Sequence, residues 1–181
     1  MLFPWFIFLI VCQRAIELSI ARRHEKTLKR LGATEYDHKG YWLIVGMHSA
    51  FIISIALEKF LFDRHLNPFW PGILLIFAGA QFLRYWAIRS LGIYWNTKIL
   101  VAPDHPRIVK GPYRFMRHPN YVAVITEFIV IPFLFSCYFT AVVFTILNAF
   151  ALRRRIRMET VALAAARRWN KKGRTELPSN T

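Results

Sequence analysis

Four long apolar runs, separated by basic segments, constrain this chain more than any other feature. They cover residues 2–20, 41–62, 69–91 and 121–151. A bilayer core of about 30 Å needs roughly 20 apolar residues in a helix, and a spanning segment must satisfy its own backbone polar groups. The runs therefore predict a helical membrane protein. A hydrophobic content of 55% and an aromatic content of 16% agree with that class. Gln13, Arg14 and Glu17 interrupt the first run, so it is expected to leave the hydrocarbon early and continue as an interfacial helix. The third run ends at Leu91-Gly92, with Arg84 and Arg89 near its end, where long cationic side chains snorkel toward water. The fourth is too long for one ordinary span and contains Pro132 and the break Ser136-Cys137-Tyr138. It reads as a hairpin of two short helices. From Arg153 the tail is helical in pattern to about Trp169, and 171–181 are polar and expected to be disordered.

With 181 residues the chain reads as one domain, 1–181. The fold class is all-α and polytopic: about five transmembrane helices, the last two a short hairpin, plus a C-terminal helix. The net charge of +15 would on a soluble platform suggest nucleic acid. Here Lys and Arg concentrate at 21–40, at 98–117 and after 152, while the 59–67 connection holds only Lys59 and Arg64. The positive-inside rule accounts for that pattern. It puts the three basic regions in the cytosol, on a multi-pass protein of the cell membrane, and leaves no nucleic-acid partner. Cys12 and Cys137 sit inside apolar runs without a CxxC partner, as reduced, small hydrophobes. The histidines at 24, 38, 48, 65, 105 and 118 show no HxxxH or HExxH spacing, so no metal site is expected. The amino terminus lacks a basic n-region and reads as a retained helix, and the last residues carry no prenylation signal.

The candidate chemistry starts in the polar loop of 92–120. Its prolines at 103, 106, 112 and 119 and its aromatic rings argue for order. Gly111-Pro112 suits a tight turn. Tyr113 and Tyr121 offer flat faces for an adenine ring, and Arg107, His118 and Asn120 offer hydrogen bonds to a carboxylate or ribose. A basic loop clinging to anionic headgroups fits the same composition.

Asn148, Arg155 and Glu159 form a second group. At 3.6 residues per turn, Arg155 lies about −20° from Asn148 and Glu159 about +40° from Arg155, so a continuous helix would carry them as one stripe. A surface i,i+4 salt bridge explains the last two equally well. An amide among Phe144, Ile146, Leu147 and Phe150 needs a partner in hydrocarbon. Glu127, alone in an apolar segment, is either functional or paired with an arginine near the interface. Glycines fall singly, so neither a dinucleotide fingerprint nor a P-loop exists.

Gly111-Pro112-Tyr113-Arg114-Phe115-Met116-Arg117-His118-Pro119-Asn120-Tyr121, followed by an apolar hairpin and Arg155-Ile156-Arg157-Met158-Glu159, resembles the isoprenylcysteine carboxyl methyltransferase family over about residues 75–165. Leu91-Gly92 and Trp95-Asn96-Thr97 look like its small prokaryotic members. The resemblance implies an integral-membrane methyltransferase that uses S-adenosyl-L-methionine in a cytosol-facing pocket, with a core at 69–170 and a cofactor loop at 92–120. By motif, His105, Pro106, Arg107, Ile108 and Tyr113 would line the cofactor. His118, Pro119, Asn120 and Tyr121 would hold its methionine and adenosyl parts, and Asn148, on the stripe with Glu159, is a further cofactor-binding candidate. Glu159 would bind its amino group, and Arg155 would face a lipophilic acceptor as the main catalytic residue. A phenol or enol acceptor would call on His118 or Glu127 as base, whereas a carboxylate needs none. Thr160 departs from the family's usual second acidic residue and Ala123 from its frequent glycine. A membrane lipid or sterol reductase binding NADPH, a phospholipid N-methyltransferase and a non-catalytic membrane adaptor are the competing readings.

Overall fold

The computed structural model describes residues 2–103 and 108–175, with side chains described to Ala166. Five α-helices carry it: α1 (Leu2–Arg30), α2 (His38–Leu61), α3 (Trp70–Leu91), α4 (Pro119–Leu134) and α5 (Tyr138–Thr175). By length and composition α1, α2 and the helix that opens at Trp70 can cross a membrane. Their outer faces show why they must. Trp5, Phe8, Leu57, Phe60, Leu75 and Phe82 are all more than half exposed, a surface that only lipid tails cover. The core lies inside, where Phe3 and Ile10 of α1, Phe51 and Ile55 of α2, and Phe77 of α3 meet Phe128 and Ile131 of α4. Phe51 stacks on Phe128 with ring centroids 4.3 Å apart.

The first run is a single helix of 29 residues, about 43 Å at 1.5 Å per residue. It exceeds the hydrocarbon thickness and continues past residue 20 without a break. The fourth run is a hairpin, as its proline and Ser-Cys-Tyr break predict. α4 is 16 residues long, about 24 Å. The chain turns at Ser136, which takes φ 55°, and the Cys137 amide donates to the Pro132 carbonyl. The second arm of the hairpin does not stop at the basic cluster. It runs unbroken into the tail as the 38-residue α5, so the arm and the expected C-terminal helix are one element. The expectation of disorder from 171 is corrected for 171–175, which are helical; 176–181 lie outside the described residues.

A small sheet joins the basic regions. β1 (Thr34–Tyr36) pairs antiparallel with β2 (Ile99–Val101), Glu35 opposite Leu100. The alternation of a strand explains why β2 is buried on both faces. Ile99 and Val101 pack on Ala162 of α5, with Met158 and Leu163 against them, while Leu100 and Ala102 pack on Leu28 of α1. Around it, Lys98 bonds Glu25 at 2.8 Å and Glu35 at 3.3 Å. The Glu25 bond, with both carboxylates' charges adding, holds the Lys98 ammonium above its ordinary pKa. Asp37, at φ 56°, caps α2 through the Gly40 amide and takes two bonds from Arg154 of α5, at 2.8 and 2.6 Å. Glycine at position 40 leaves room for this pair, since a Cβ there would sit 1.9 Å from the Asp37 carboxylate. Residues 21–40, 98–103 and the basic part of α5 therefore share one side of the protein, as the charge distribution requires.

Arg84 does not snorkel. Its side chain is 1% exposed and lies between two carboxylates: Glu17 of α1 at 3.1 Å and Glu127 of α4 at 2.5 Å. Arg14 bonds the same two carboxylates, and Gln13 and Gln81 donate one bond each to Glu17 and Glu127. Two cations and two anions thus close an electroneutral network across α1, α3 and α4. Removing one partner of a buried pair costs about 3–5 kcal/mol, because the other charge is left without compensation. Arg84→Leu is expected to destabilise the detergent-solubilised protein by about that amount, and adding Glu127→Leu is expected to recover part of the loss. Unfolding monitored by circular dichroism checks both.

Candidate functional site

One cavity of about 890 Å³ runs from the loop into the spanning helices. Its outer walls are the 94–103 segment, the 108–121 segment and α5 from Asn148 onward, and its inner end is formed by Ile44, Met47 and His48 of α2 above Arg14, Glu17 and Arg84. This size lies in the range of sites that enclose a small molecule, about 300–1,000 Å³.

The loop end is built by a turn and a helix start. Gly111–Arg114 form a short 3₁₀ turn. Gly111 takes φ 55°, and a Cβ there would lie 2.1 Å from the Ser90 hydroxyl of α3. Glycine is what lets the loop lie this close to α3. Pro119 opens α4, where a missing N–H costs nothing, and sets the face on which Asn120 and Tyr121 meet the cavity. The His118 ring stacks on Tyr121, centroids 5.0 Å apart and 12° from parallel.

The polar stripe of α5 faces this turn. Asn148, Arg155 and Glu159 all line the cavity, which the continuous helix makes possible. Arg155 and Glu159 are joined through a third group rather than to each other. The Tyr121 hydroxyl donates to Glu159 Oε2 at 2.6 Å and accepts from Arg155 Nε at 3.0 Å. A surface i,i+4 salt bridge does not describe them. Thr160 returns its hydroxyl to the Ile156 carbonyl at 2.7 Å, leaving Glu159 as the carboxylate of this stripe. Burial, with the Glu159 charge adding, pushes the Tyr113 phenol above its ordinary pKa, so it stays a neutral donor.

Two amides hold unpaired polar atoms. Asn148 is 1% exposed, and neither its Oδ1 nor its Nδ2 has a partner; Asn120 Oδ1 is also buried and unpaired. A buried amide without partners costs several kcal/mol in an apolar setting, and native proteins rarely hold one without a reason. Both line the cavity, so a ligand with donors and acceptors would satisfy them. The donor set as a whole (a carboxylate, a guanidinium, two amides, a phenol and a stacked ring pair) fits an amino-acid nucleoside, which carries an ammonium, a carboxylate and a flat base.

Ile108, Tyr113, His118, Asn120, Tyr121, Asn148, Arg155 and Glu159 thus come together as the motif reading expects. Pro119 is buried as the first residue of α4 and does not line the cavity. Glu127 also stays off its wall; its carboxylate is taken up by Arg14, Arg84 and Gln81. The base role expected for Glu127 finds no place on this wall. His105, Pro106 and Arg107 lie outside the described residues. The sequence reading missed Arg14, Glu17, His48 and Arg84 as cavity residues. Their signal was present, since each is an ionisable group inside an apolar run.

A family model described as the isoprenylcysteine carboxyl methyltransferase family matches residues 73–165, a little over half of the chain. The chain belongs to the isoprenylcysteine carboxyl methyltransferase family. Membership makes it an integral-membrane methyltransferase. The matched stretch holds the loop, α4 and the cavity-facing part of α5, whereas α1 and α2 fall outside it. Two relatives match nearly the whole chain. One is 43% identical over 157 residues, 87% of this chain and 94% of its own length, and is the Bacillus subtilis (strain 168) protein named "Uncharacterized protein YpbQ". The other, an "Uncharacterized protein" of Haemophilus influenzae, is 29% identical over 156 residues, 86% of this chain and 91% of its own length. No solved structure matches the chain.

The bare amides give a test that separates binding from folding. Asn148→Leu removes two unpaired polar atoms and is expected to leave the melting temperature equal to or above that of the wild type. The same variant is expected to lose most of the stabilisation that S-adenosylhomocysteine confers. Thermal melts with and without that nucleotide measure both effects.

Proposed function

We propose that this protein transfers a methyl group from S-adenosylmethionine to an oxygen of a lipophilic acceptor held in the bilayer. The supporting observation is the convergence of Glu159, Tyr121 and Arg155 with the unpaired Asn120 and Asn148 in a cavity that reaches from the loop into the spanning helices. When bound, the cofactor supplies an electrophilic methyl on a sulfonium sulfur.

The chain's own residues do the rest. Glu159 meets an ammonium as a charge-assisted hydrogen bond, and the Tyr121 hydroxyl keeps that carboxylate oriented. The stacked His118 and Tyr121 rings give one flat wall. Asn120 and Asn148 fix orientation through their unpaired atoms, with Ile108 and Tyr113 at the loop end; His105, Pro106 and Arg107, which lie outside the described residues, are assigned to the cofactor by the motif alone. Arg155, held by the same Tyr121 hydroxyl, faces the acceptor and stabilises negative charge on its oxygen. Apolar walls at Ile44, Met47 and Leu152 exclude water and fit a hydrocarbon chain that arrives sideways. A carboxylate acceptor is already ionised at neutral pH, whereas a phenol or enol must lose a proton. The basic character of the loop side argues that the cofactor enters from the cytosol.

Three measurements test this reading. S-adenosylhomocysteine is expected to protect the detergent-solubilised protein from heat and NADPH is not; protection by NADPH alone would point to a reductase. Glu159→Ala is expected to weaken S-adenosylhomocysteine about 10–100-fold, the worth of a charge-assisted bond of roughly 1.5–3 kcal/mol. Arg155→Ala is expected to lower turnover while leaving that affinity near wild type. Calorimetry that finds Glu159→Ala binding as tightly as the wild type removes the assignment of Glu159.

A further inference from the structure

We infer that His48 of α2 is the proton acceptor for a hydroxyl-bearing lipophilic acceptor, which makes phenol-type or enol-type oxygens the substrate class of this cavity. The inference rests on the proposed methyl transfer and adds to it a residue outside the matched stretch of 73–165.

His48 lines the main cavity and also the small pocket beneath it, between α1, α2 and α4. Its Nδ1 lies 2.9 Å from the Ile44 carbonyl oxygen. A carbonyl only accepts, so the neutral ring carries its hydrogen on Nδ1 and leaves the Nε2 lone pair free. The ring packs edge-on against Phe128, centroids 5.0 Å apart at 88°, which fixes its plane. No described side chain bonds Nε2.

The surrounding charges favour this role. Facing His48 are Arg14 and Glu17 on α1, Arg84 on α3, Glu127 on α4 and Arg155 on α5. Both inner carboxylates are held by the two arginines of the buried network, so neither is a free base. Glu159 is held by the Tyr121 hydroxyl, and His118 is stacked at the loop end. His48 is then the neutral base at the membrane end. Arg14 and Arg155 favour an anionic oxygen on the acceptor during the reaction.

The step balances as a proton transfer coupled to displacement. The acceptor O–H bond breaks and an N–H bond forms at His48 Nε2. The oxygen's electron pair makes the new O–CH₃ bond while the methyl's bond to the sulfonium sulfur breaks, that pair staying on sulfur. The proton leaves the imidazolium for water through the loop end of the cavity. A general base of this kind contributes about 10²–10⁴-fold to rate.

The experiment uses the full-length protein in detergent, S-adenosylmethionine, and 4-dodecylphenol and dodecanoic acid as acceptor probes. Wild type is expected to methylate the phenol with a rate that rises with pH as His48 loses its proton. His48→Gln is expected to lower kcat on 4-dodecylphenol about 10²-fold and to flatten that acid limb, with S-adenosylhomocysteine affinity by calorimetry unchanged. His48→Ala is expected to regain activity when imidazole is added to the buffer, and it serves as the second variant where the first does not fold. His48→Gln turning over the phenol within threefold of wild type, or methyl transfer to dodecanoic acid only, overturns the inference and leaves the methyltransferase reading standing. So does a parallel loss of nucleotide affinity in both variants. Wild-type protein that binds no S-adenosylhomocysteine overturns the methyltransferase reading first, and this inference with it.

Discussion

The ion network of Arg14, Glu17, Arg84 and Glu127 is the interaction on which the rest of the molecule depends. Glu17, Arg84 and Glu127 are almost wholly buried, so each is tolerated only while its partners are in place. The network draws together α1, α3 and α4, which otherwise meet through aromatic and aliphatic packing that lipid tails could rival. Hydrophobic burial drives little association between helices inside a bilayer. A network that must be complete to be affordable supplies the register that apolar packing leaves loose.

That register shapes the cavity. Arg14, Glu17 and Arg84 form its inner end, while the Tyr121–Glu159–Arg155 group forms its outer end. The two ends differ in kind. The inner charges are neutralised in place beside His48, a setting for the uncharged head of a lipid. The outer end has unpaired amides, a carboxylate and a stacked ring pair, a setting for a polar, charged nucleotide. One cavity with two such ends can hold a water-soluble donor and a membrane-soluble acceptor side by side, which is what positions two reactants for direct transfer.

The small sheet keeps the outer end in place. β2 is wedged between α1 and α5, and the Asp37–Arg154 pair fastens the start of α2 to α5 one residue before Arg155. The Glu58 carboxylate at the far end of α2 does the same for the start of α5, accepting from the Thr140 amide at 2.7 Å. α5 is thus tied to α2 at Thr140, ahead of its cavity-lining part, and at Arg154, within it.

The apolar run lengths, the basic segments and Pro132 with Ser136-Cys137 determined the helices, their shared side and the hairpin, because backbone satisfaction in lipid leaves few alternatives. The 100° turn per residue determined that Asn148, Arg155 and Glu159 share a face, provided the helix did not break at the basic cluster. Whether it broke was a tertiary matter, decided by β2 and Asp37 packing on α5 from elsewhere in the chain. The fates of Arg84 and Glu127 were also tertiary. A single arginine or glutamate in an apolar run reads the same whether it snorkels, catalyses or pairs, since the partner lies on another helix and no local period records it. Ile99-Leu100-Val101 likewise shows no strand until α1 and α5 cover its two faces. Sequence fixes what each segment must bury; only the assembled helices decide which charges find each other, because Coulomb attraction in a low dielectric acts across space and not along the chain.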